Sequence, residues 1–170
     1  MASHAIARDR KPGMRTEIAA AAYARGAFRE ARAACNAVLR RQPRDTEALR
    51  LLALIELRAG RAADALIAIG RAIATAPSDA ALQATRGDIL RQSGRHAEAV
   101  AAYDRAVGIF PAYPEAFNNR GCALVELGRL PEAIESFSQC LRFNPGHAGA
   151  AASLAALAQG VTFKPGKPRI

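Results

Sequence analysis

The feature that most constrains this chain is an internal repeat with a period of 34 residues. Glycine, alanine and proline each recur at that interval through four copies. The positions are Gly26, Gly60, Gly94 and Gly128; Ala31, Ala65, Ala99 and Ala133; and Pro43, Pro77, Pro111 and Pro145. Because the copies keep one spacing without an insertion or deletion, we expect a stack of equivalent supersecondary units rather than one irregular domain.

Each copy contains two helical patterns, which its glycine separates. In the second copy, residues 46–60 read TEALRLLALIELRAG, and Leu49, Leu52 and Leu57 fall on one face of a helix. The glycine predicts the end of this helix, since a left-handed residue costs glycine little. The proline that closes each copy predicts the end of a second helix. We therefore expect every copy to be a helix-turn-helix unit.

The composition favours close packing of helix on helix. Apolar residues make up 51% of the chain but aromatic residues only 5%, and tryptophan is absent. Much of the apolar content is alanine, which favours helices. No apolar run reaches the roughly 20 residues that cross a bilayer, and the apolar stretch after Arg15 is short for a signal peptide. We therefore predict a cytoplasmic protein without membrane insertion.

The formal net charge of +9 is concentrated at the two ends of the chain. Residues 1–50 contribute +6, residues 51–145 are neutral overall, and the remaining tail contributes +3. A basic end can contact nucleic-acid phosphates. The alternative function is therefore a nucleic-acid-associated protein that uses its basic N-terminal end and tail. It is the less favoured one, because the basic residues lack interleaved aromatic side chains.

These repeats resemble the tetratricopeptide repeat family, which has the same period. The fourth copy carries the family's small, turn, alanine, aromatic and proline residues at Gly121, Gly128, Ala133, Phe137 and Pro145. The third copy carries them at Gly87, Gly94, Ala99, Tyr103 and Pro111. The resemblance extends over residues 12–159. It is weakest in the first copy, where Arg15 stands at a position that is usually a large apolar residue.

The resemblance implies an all-α fold, a right-handed α-solenoid of four helix-turn-helix repeats closed by a C-terminal capping helix. The repeats span residues 12–145, with register boundaries at 12–45, 46–79, 80–113 and 114–147, and the capping helix spans 146–160. We expect a basic flexible segment at 1–11 and a basic Pro/Gly tail at 161–170.

In arrays of this family the first helix of each repeat lines a concave groove. The resemblance therefore implies that this protein is an interaction module whose groove binds a partner peptide or a partner helix. The predicted groove residues are Arg50, Leu51, Leu54, Arg58, Thr85, Asp88, Arg91, Asn118, Asn119, Cys122 and Glu126. A merely solvated face is the alternative interpretation of these residues, and the identity of the partner is not predicted.

Two binding modes known in the family do not fit this sequence. The carboxylate clamp needs basic and amide residues around a central asparagine, which Asn119 matches. Its neighbours in the register do not match, because Ala84 and Asp88 precede it and Gly149 and Ser153 follow it. The asparagine ladder needs an asparagine at the same position of every repeat, and only one repeat has it.

The sequence contains no recognisable catalytic, cofactor-binding or metal-binding pattern. Its histidines, at positions 4, 96 and 147, do not pair with cysteine or aspartate at a spacing suited to such chemistry. The three cysteines are an odd number with no close pair, which is typical of buried reduced thiols rather than of disulfides or a zinc site. We therefore predict a non-enzymatic scaffold without cofactors.

The C-terminal end of the array has an unusually apolar closing helix. The closing helix, HAGAAASLAALAQ at 147–159, contains no acidic residue, lysine or arginine, although an exposed terminal helix is normally polar outside. Two explanations follow. Val161 and Phe163 fold back over this helix, or a second copy of the chain covers it and the protein self-associates.

Overall fold

The computed structural model describes residues 12–160, with side chains from Thr16 onward. These residues form nine α-helices joined by short turns, and they contain no strand. The helices are α1 (Pro12–Ala24), α2 (Phe28–Arg41), α3 (Thr46–Arg58), α4 (Ala62–Thr75), α5 (Ala80–Gln92), α6 (His96–Ile109), α7 (Pro114–Glu126), α8 (Leu130–Phe143) and α9 (Ala148–Ala158). The segments 1–11 and 161–170, including Val161 and Phe163, lie outside the described residues.

The helices pack as hairpins that follow the repeat. Helices α1 and α2, α3 and α4, α5 and α6, and α7 and α8 form the four pairs, and α9 packs on α8. The first helices of successive repeats also contact one another, α1 with α3, α3 with α5 and α5 with α7. The first helices therefore form the inner row of the array. The prediction of an all-α right-handed solenoid of four repeats and a closing helix is confirmed.

A glycine in the left-handed conformation ends every first helix. Five glycines have φ between 65° and 76°, and they are Gly26, Gly60, Gly94, Gly128 and Gly160. After α3, the N–H of Gly60 donates to the carbonyl of Leu57 at 3.0 Å, and the next N–H donates to the carbonyl of Glu56 at 2.8 Å. These bonds satisfy the last carbonyls of the helix. They also turn the chain back, so that the second helix runs antiparallel to the first.

Each repeat pairs a residue in the middle of its first helix with one sixteen positions later in its second helix. The four pairs are Ala19 with Cys35, Ala53 with Ile69, Gly87 with Tyr103, and Gly121 with Phe137. A Cβ atom added to Gly121 would lie 2.6 Å from the Phe137 ring, and one added to Gly87 would lie 2.5 Å from the Tyr103 ring. The sizes are therefore matched within each repeat. A ring faces glycine, and a smaller side chain faces alanine.

Gly70 differs from these packing glycines, because it lies in the middle of α4 on the exposed outer face. A Cβ atom added there would meet nothing within 4 Å. We expect Gly70→Ala to raise the free energy of unfolding by about 1 kcal/mol, since alanine favours a helix interior over glycine by that amount. Urea unfolding followed by circular dichroism measures this change.

Gly60→Ala is the matched control, because its added Cβ atom would also meet nothing within 4 Å. Its φ of +75° is left-handed, and we expect a loss of about 1 kcal/mol from that conformation alone. Equal shifts for the two variants would contradict this interpretation of Gly70.

One charged group lies inside the array, at the junction of the first two repeats. Glu56 on α3 is only 3% exposed. Nε of Arg32, on α2, lies 2.8 Å from its Oε1, and Nε of Arg61 donates to its Oε2. The next two repeats have Leu90 and Leu124 at the equivalent position, and both are buried. This ion-paired carboxylate is therefore specific to one junction of the stack.

Candidate functional site

The predicted groove residues lie on α3, α5 and α7, the inner row of helices. Nine of the eleven keep accessible surface. They are Arg58, which is exposed, and Arg50, Leu54, Asp88, Arg91, Asn118, Asn119, Cys122 and Glu126, which are half-buried. Because the three helices contact one another in sequence, these side chains form one continuous surface, which we call the inner surface.

Leu51 and Thr85 do not contribute to this surface, which corrects their sequence assignment. Leu51 is only 4% exposed and packs with Ala22 and Cys35 of the first repeat. The first repeat has small side chains there, so the leucine fills the space between the repeats. Thr85 is 7% exposed, and its hydroxyl donates to the carbonyl of Ala81 at 2.8 Å within its own helix.

A chain of hydrogen bonds centred on Asp88 organises the middle of the inner surface. Oδ1 of Asp88 accepts the hydroxyl of Tyr103 at 2.7 Å and Nδ2 of Asn119 at 2.9 Å. Oδ1 of Asn119 accepts Nδ2 of Asn118 at 3.1 Å. The guanidinium of Arg91 also interacts with the Tyr103 hydroxyl. Three helices, α5, α6 and α7, are thereby tied together, and both asparagine amides are oriented.

Burial determines the electrostatics of this cluster. It raises the pKa of the Asp88 carboxyl above its ordinary value, while the hydrogen bond from Tyr103 and the charge of Arg91 act in the opposite direction. The carboxylate has two neutral donors and one cation beside it. Asp88 is therefore a structural acceptor that holds its neighbours, rather than a free negative charge on the surface.

Two polar atoms at the edges of the cluster have no hydrogen-bond partner among the described residues. They are Nε of Arg91, which is a donor, and Oδ1 of Asn118, which is an acceptor, and both atoms are buried. A buried polar atom without a partner costs about 1–3 kcal/mol. The cluster therefore contains one buried donor and one buried acceptor whose hydrogen bonds the described residues do not supply.

Charge varies along the inner surface. On α3, Arg50 is paired with Glu47 at 2.7 Å, whereas Arg58 is exposed and enters no ion pair with a described residue. On α7, Glu115 and Glu126 enter no ion pair with a described residue, whereas Arg120 is paired with Asp104 on α6 at 2.6 Å. Among the described residues, the α3 end of the surface therefore carries an unpaired positive charge, and the α7 end carries unpaired negative charges.

The cysteines are held as thiols by their surroundings. Burial raises the pKa of the Cys35 thiol to about 11, and it also raises the pKa of Cys122. Cys140 is buried. Within residues 12–160, no three side chains of the histidine, cysteine, aspartate and glutamate types are grouped so as to hold a metal ion. None of the described helices has the length and apolarity needed to span a membrane.

The sequence alone did not predict the part that Tyr103 has in the inner surface. In the sequence, Tyr103 stands at the family's aromatic position, as Phe137 does, and its ring packs against Gly87. The hydroxyl is the only chemical difference between these two rings, and it reaches Asp88. The sequence signal for the bond between Tyr103 and Asp88 is a tyrosine at the family's aromatic position, together with an aspartate that directly follows the glycine under its ring.

The first repeat gives little support to a phosphate-binding end. Arg25 is paired with Glu30 at 3.2 Å, and Arg32 is paired with the buried Glu56. Two of the basic residues that the nucleic-acid alternative would use are therefore already engaged with carboxylates.

Comparisons with known proteins agree on the architecture. A model of the tetratricopeptide repeat (TPR) matches residues 16–81, 68–117 and 84–148. The crystal structure of MamA is similar with a TM-score of 0.73 and 22% identity, over 85% of this chain and 86% of that chain. For PilF of Pseudomonas aeruginosa the TM-score is 0.83 and the identity 20%, over 88% of this chain and 68% of that chain.

A third similar structure contains a ligand. The first TPR of Spaghetti (RPAP3), bound to the HSP90 peptide SRMEEVD, has a TM-score of 0.65 and 21% identity, over 68% of this chain and 92% of that chain. Identities at this level show a shared fold. Among curated proteins, none matches the chain significantly.

Proposed function

The chain belongs to the tetratricopeptide repeat family, and from that premise we propose that it is a non-enzymatic scaffold whose inner surface binds an extended segment of a partner protein. Membership of the family and peptide-bound structures of the same fold support a role for these repeats as a protein-interaction module. The rest of the proposal concerns which residues bind and what kind of partner they bind.

The cluster around Asp88 is the observation that carries the proposal. It holds Arg91 and Asn118 with one donor and one acceptor free of partners among the described residues. An extended peptide presents a carbonyl and an N–H at every residue, and its main chain can satisfy both atoms once the half-buried side chains of Arg91 and Asn118 turn toward it. Such main-chain bonds bind without regard to sequence, while the neighbouring side chains select the partner.

Selectivity then comes from the two ends of the surface. Leu54 is half-buried beside Arg50 and exposed Arg58 on the inner row, so an acidic segment with an apolar residue suits the α3 end. Glu115 and Glu126 suit basic residues at the α7 end. We propose an internal segment of the partner rather than a chain terminus, because Asp88 occupies the place where a carboxylate clamp needs an amide or a cation. A cytoplasmic location stays a prediction.

Affinity capture from a lysate of the source cells tests the proposal, with immobilised protein and identification of retained proteins by mass spectrometry. We expect Asn119→Ala and Arg50→Glu each to lower the amount of a retained partner by about tenfold, which corresponds to about 1.4 kcal/mol of binding free energy. Arg105→Glu is the matched control, because Arg105 is exposed on α6 in the outer row.

The melting temperature of each variant separates lost binding from lost folding. A partner that all three variants retain equally would contradict the inner surface as the binding site. Loss of the partner only with Arg105→Glu would assign binding to the outer row instead.

A further inference from the structure

Helix α9 has the position of a first helix, but no described second helix covers it. In complete repeats, three positions of the first helix face the second helix. They are Gln83, Gly87 and Leu90 in the third repeat, and Phe117, Gly121 and Leu124 in the fourth. The equivalent residues of α9 are Ala151, Ala155 and Ala158, and all three are exposed. We call them the alanine face.

The opposite side of α9 is firmly docked. Ala150 is fully buried, and Leu154 and Leu157 pack against the core cluster that contains Phe137 and Cys140. The helix is therefore held in the register of a first helix. The exposure of its alanine face follows from that register and not from loose packing.

Gly160 directs the chain that follows α9. Its φ is 65°, and its N–H donates to the carbonyl of Leu157 at 3.2 Å. The same conformation and the same type of hydrogen bond end the first helix of all four repeats. In each of them the next residues turn back and run along the helix that has just ended. The turn at Gly160 therefore has the geometry that, in each repeat, precedes a segment packed on this side of the first helix.

We propose that residues 161–170 cover the alanine face, with Val161 and Phe163 packed on it. This segment reads VTFKPGKPRI, so its apolar residues come first and its basic residues come later, where they can stay in water. Its two prolines disfavour a second helix, so it crosses the face as an extended strap. An eleven-residue helix is about 16 Å long, and about five extended residues span that length.

Charge favours this occupant over a second copy of the chain. The net charge is +9, and three basic residues, Lys164, Lys167 and Arg169, follow directly after α9. Two identical ends brought together would place these like charges near one another. The segment that is already tethered at Gly160 has no such repulsion to overcome, and its effective concentration at the face is high.

The full chain contains no tryptophan, so Phe163→Trp introduces a single tryptophan as the fluorescent reporter. We expect its emission to be shifted to the blue relative to free N-acetyltryptophanamide and to be poorly quenched by acrylamide. In this background, Ala155→Glu places a charge on the alanine face and is expected to shift the emission back to the red. Ala152→Glu is the matched control, because Ala152 is exposed on the same helix at the position equivalent to Asn118.

Each outcome is decisive. A blue-shifted emission that is independent of protein concentration in a monomer, and that only Ala155→Glu reverses, supports the proposal. Emission like that of the free amide would overturn it, and so would a blue shift that Ala155→Glu leaves unchanged. A blue shift that disappears on dilution, with a dimer mass by light scattering, would assign the alanine face to a second copy and equally overturn it.

Discussion

Gly121→Ala is expected to lower the free energy of unfolding by about 3 kcal/mol, at the upper end of the usual effect of overpacking a core. The added Cβ atom would lie 2.6 Å from Cε1 of Phe137, and this ring is 1% exposed within the core cluster. The ring therefore has no solvent-facing space into which it can move. Urea unfolding, followed by the helical circular dichroism signal, measures the loss.

A second substitution tests the steric cause. Adding Phe137→Leu to Gly121→Ala removes the ring atoms that the new Cβ would meet. The double variant then pairs an alanine with an aliphatic side chain, as Ala53 is paired with Ile69 in the second repeat. We expect the double variant to be more stable than Gly121→Ala, with a coupling energy of about 1–3 kcal/mol. Additive losses would mean that the two residues do not limit each other, and the size-matching of the repeats would be wrong.

Glu56→Gln is expected to destabilise the protein by about 2 kcal/mol, the usual contribution of hydrogen bonds to a charged group. The amide keeps the shape of the side chain but presents an N–H₂ group to one of two arginine donors. Arg32 and Arg61 keep 49% and 41% of their side-chain surface exposed, so water can solvate them when the carboxylate is gone. The loss is therefore smaller than for a pair buried on both sides.

Glu56→Leu is the informative comparison, since leucine is the residue of the next two repeats at this position. Replacing a buried ion pair with well-packed apolar residues is often neutral or stabilising, whereas removing one partner is costly when the other charge stays buried. Arg32 and Arg61 are 49% and 41% exposed, so neither is left as a buried charge. We expect Glu56→Leu to stay within about 1 kcal/mol of wild type and to be more stable than Glu56→Gln. Thermal and urea unfolding of both variants decide the order. A leucine variant less stable than the glutamine variant would show that the ion pairs themselves hold the first two repeats together.

The period of 34 residues was sufficient to predict the helices and turns, because each position class has a local physical role. The glycine at the end of a first helix needs a positive φ, and the five glycines at that position, the first Gly26 and the last Gly160, all have it. Helical register also predicts which side chains lie on the inner row of helices. Nine of the eleven predicted residues, Arg50 and Asn119 among them, keep accessible surface there, and their part in binding stays a prediction.

Contacts between repeats could not be predicted in the same way. Register assigns Leu51 to the inner row, but only the packing of α3 on α1 shows that the leucine is buried against small side chains. The bond from Tyr103 to Asp88 and the pairing of Arg32 with Glu56 also join separate helices. A helical pattern specifies the face of a residue and leaves open which neighbour meets it, so these contacts depend on tertiary structure.

The size-matched pairs determine which pieces of this chain can be exchanged. A whole hairpin carries both members of its pair, so hairpins can be duplicated, deleted or shuffled without disturbing that contact. A single helix cannot be moved in this way. Putting α5 in place of α3 would set Gly87 opposite Ile69 and leave a void, and the reverse exchange would set Ala53 against the Tyr103 ring. Recombination in such a gene therefore preserves the size-matched pairs when its breakpoints fall between hairpins, and it disrupts them when the breakpoints fall at the glycine turn inside one.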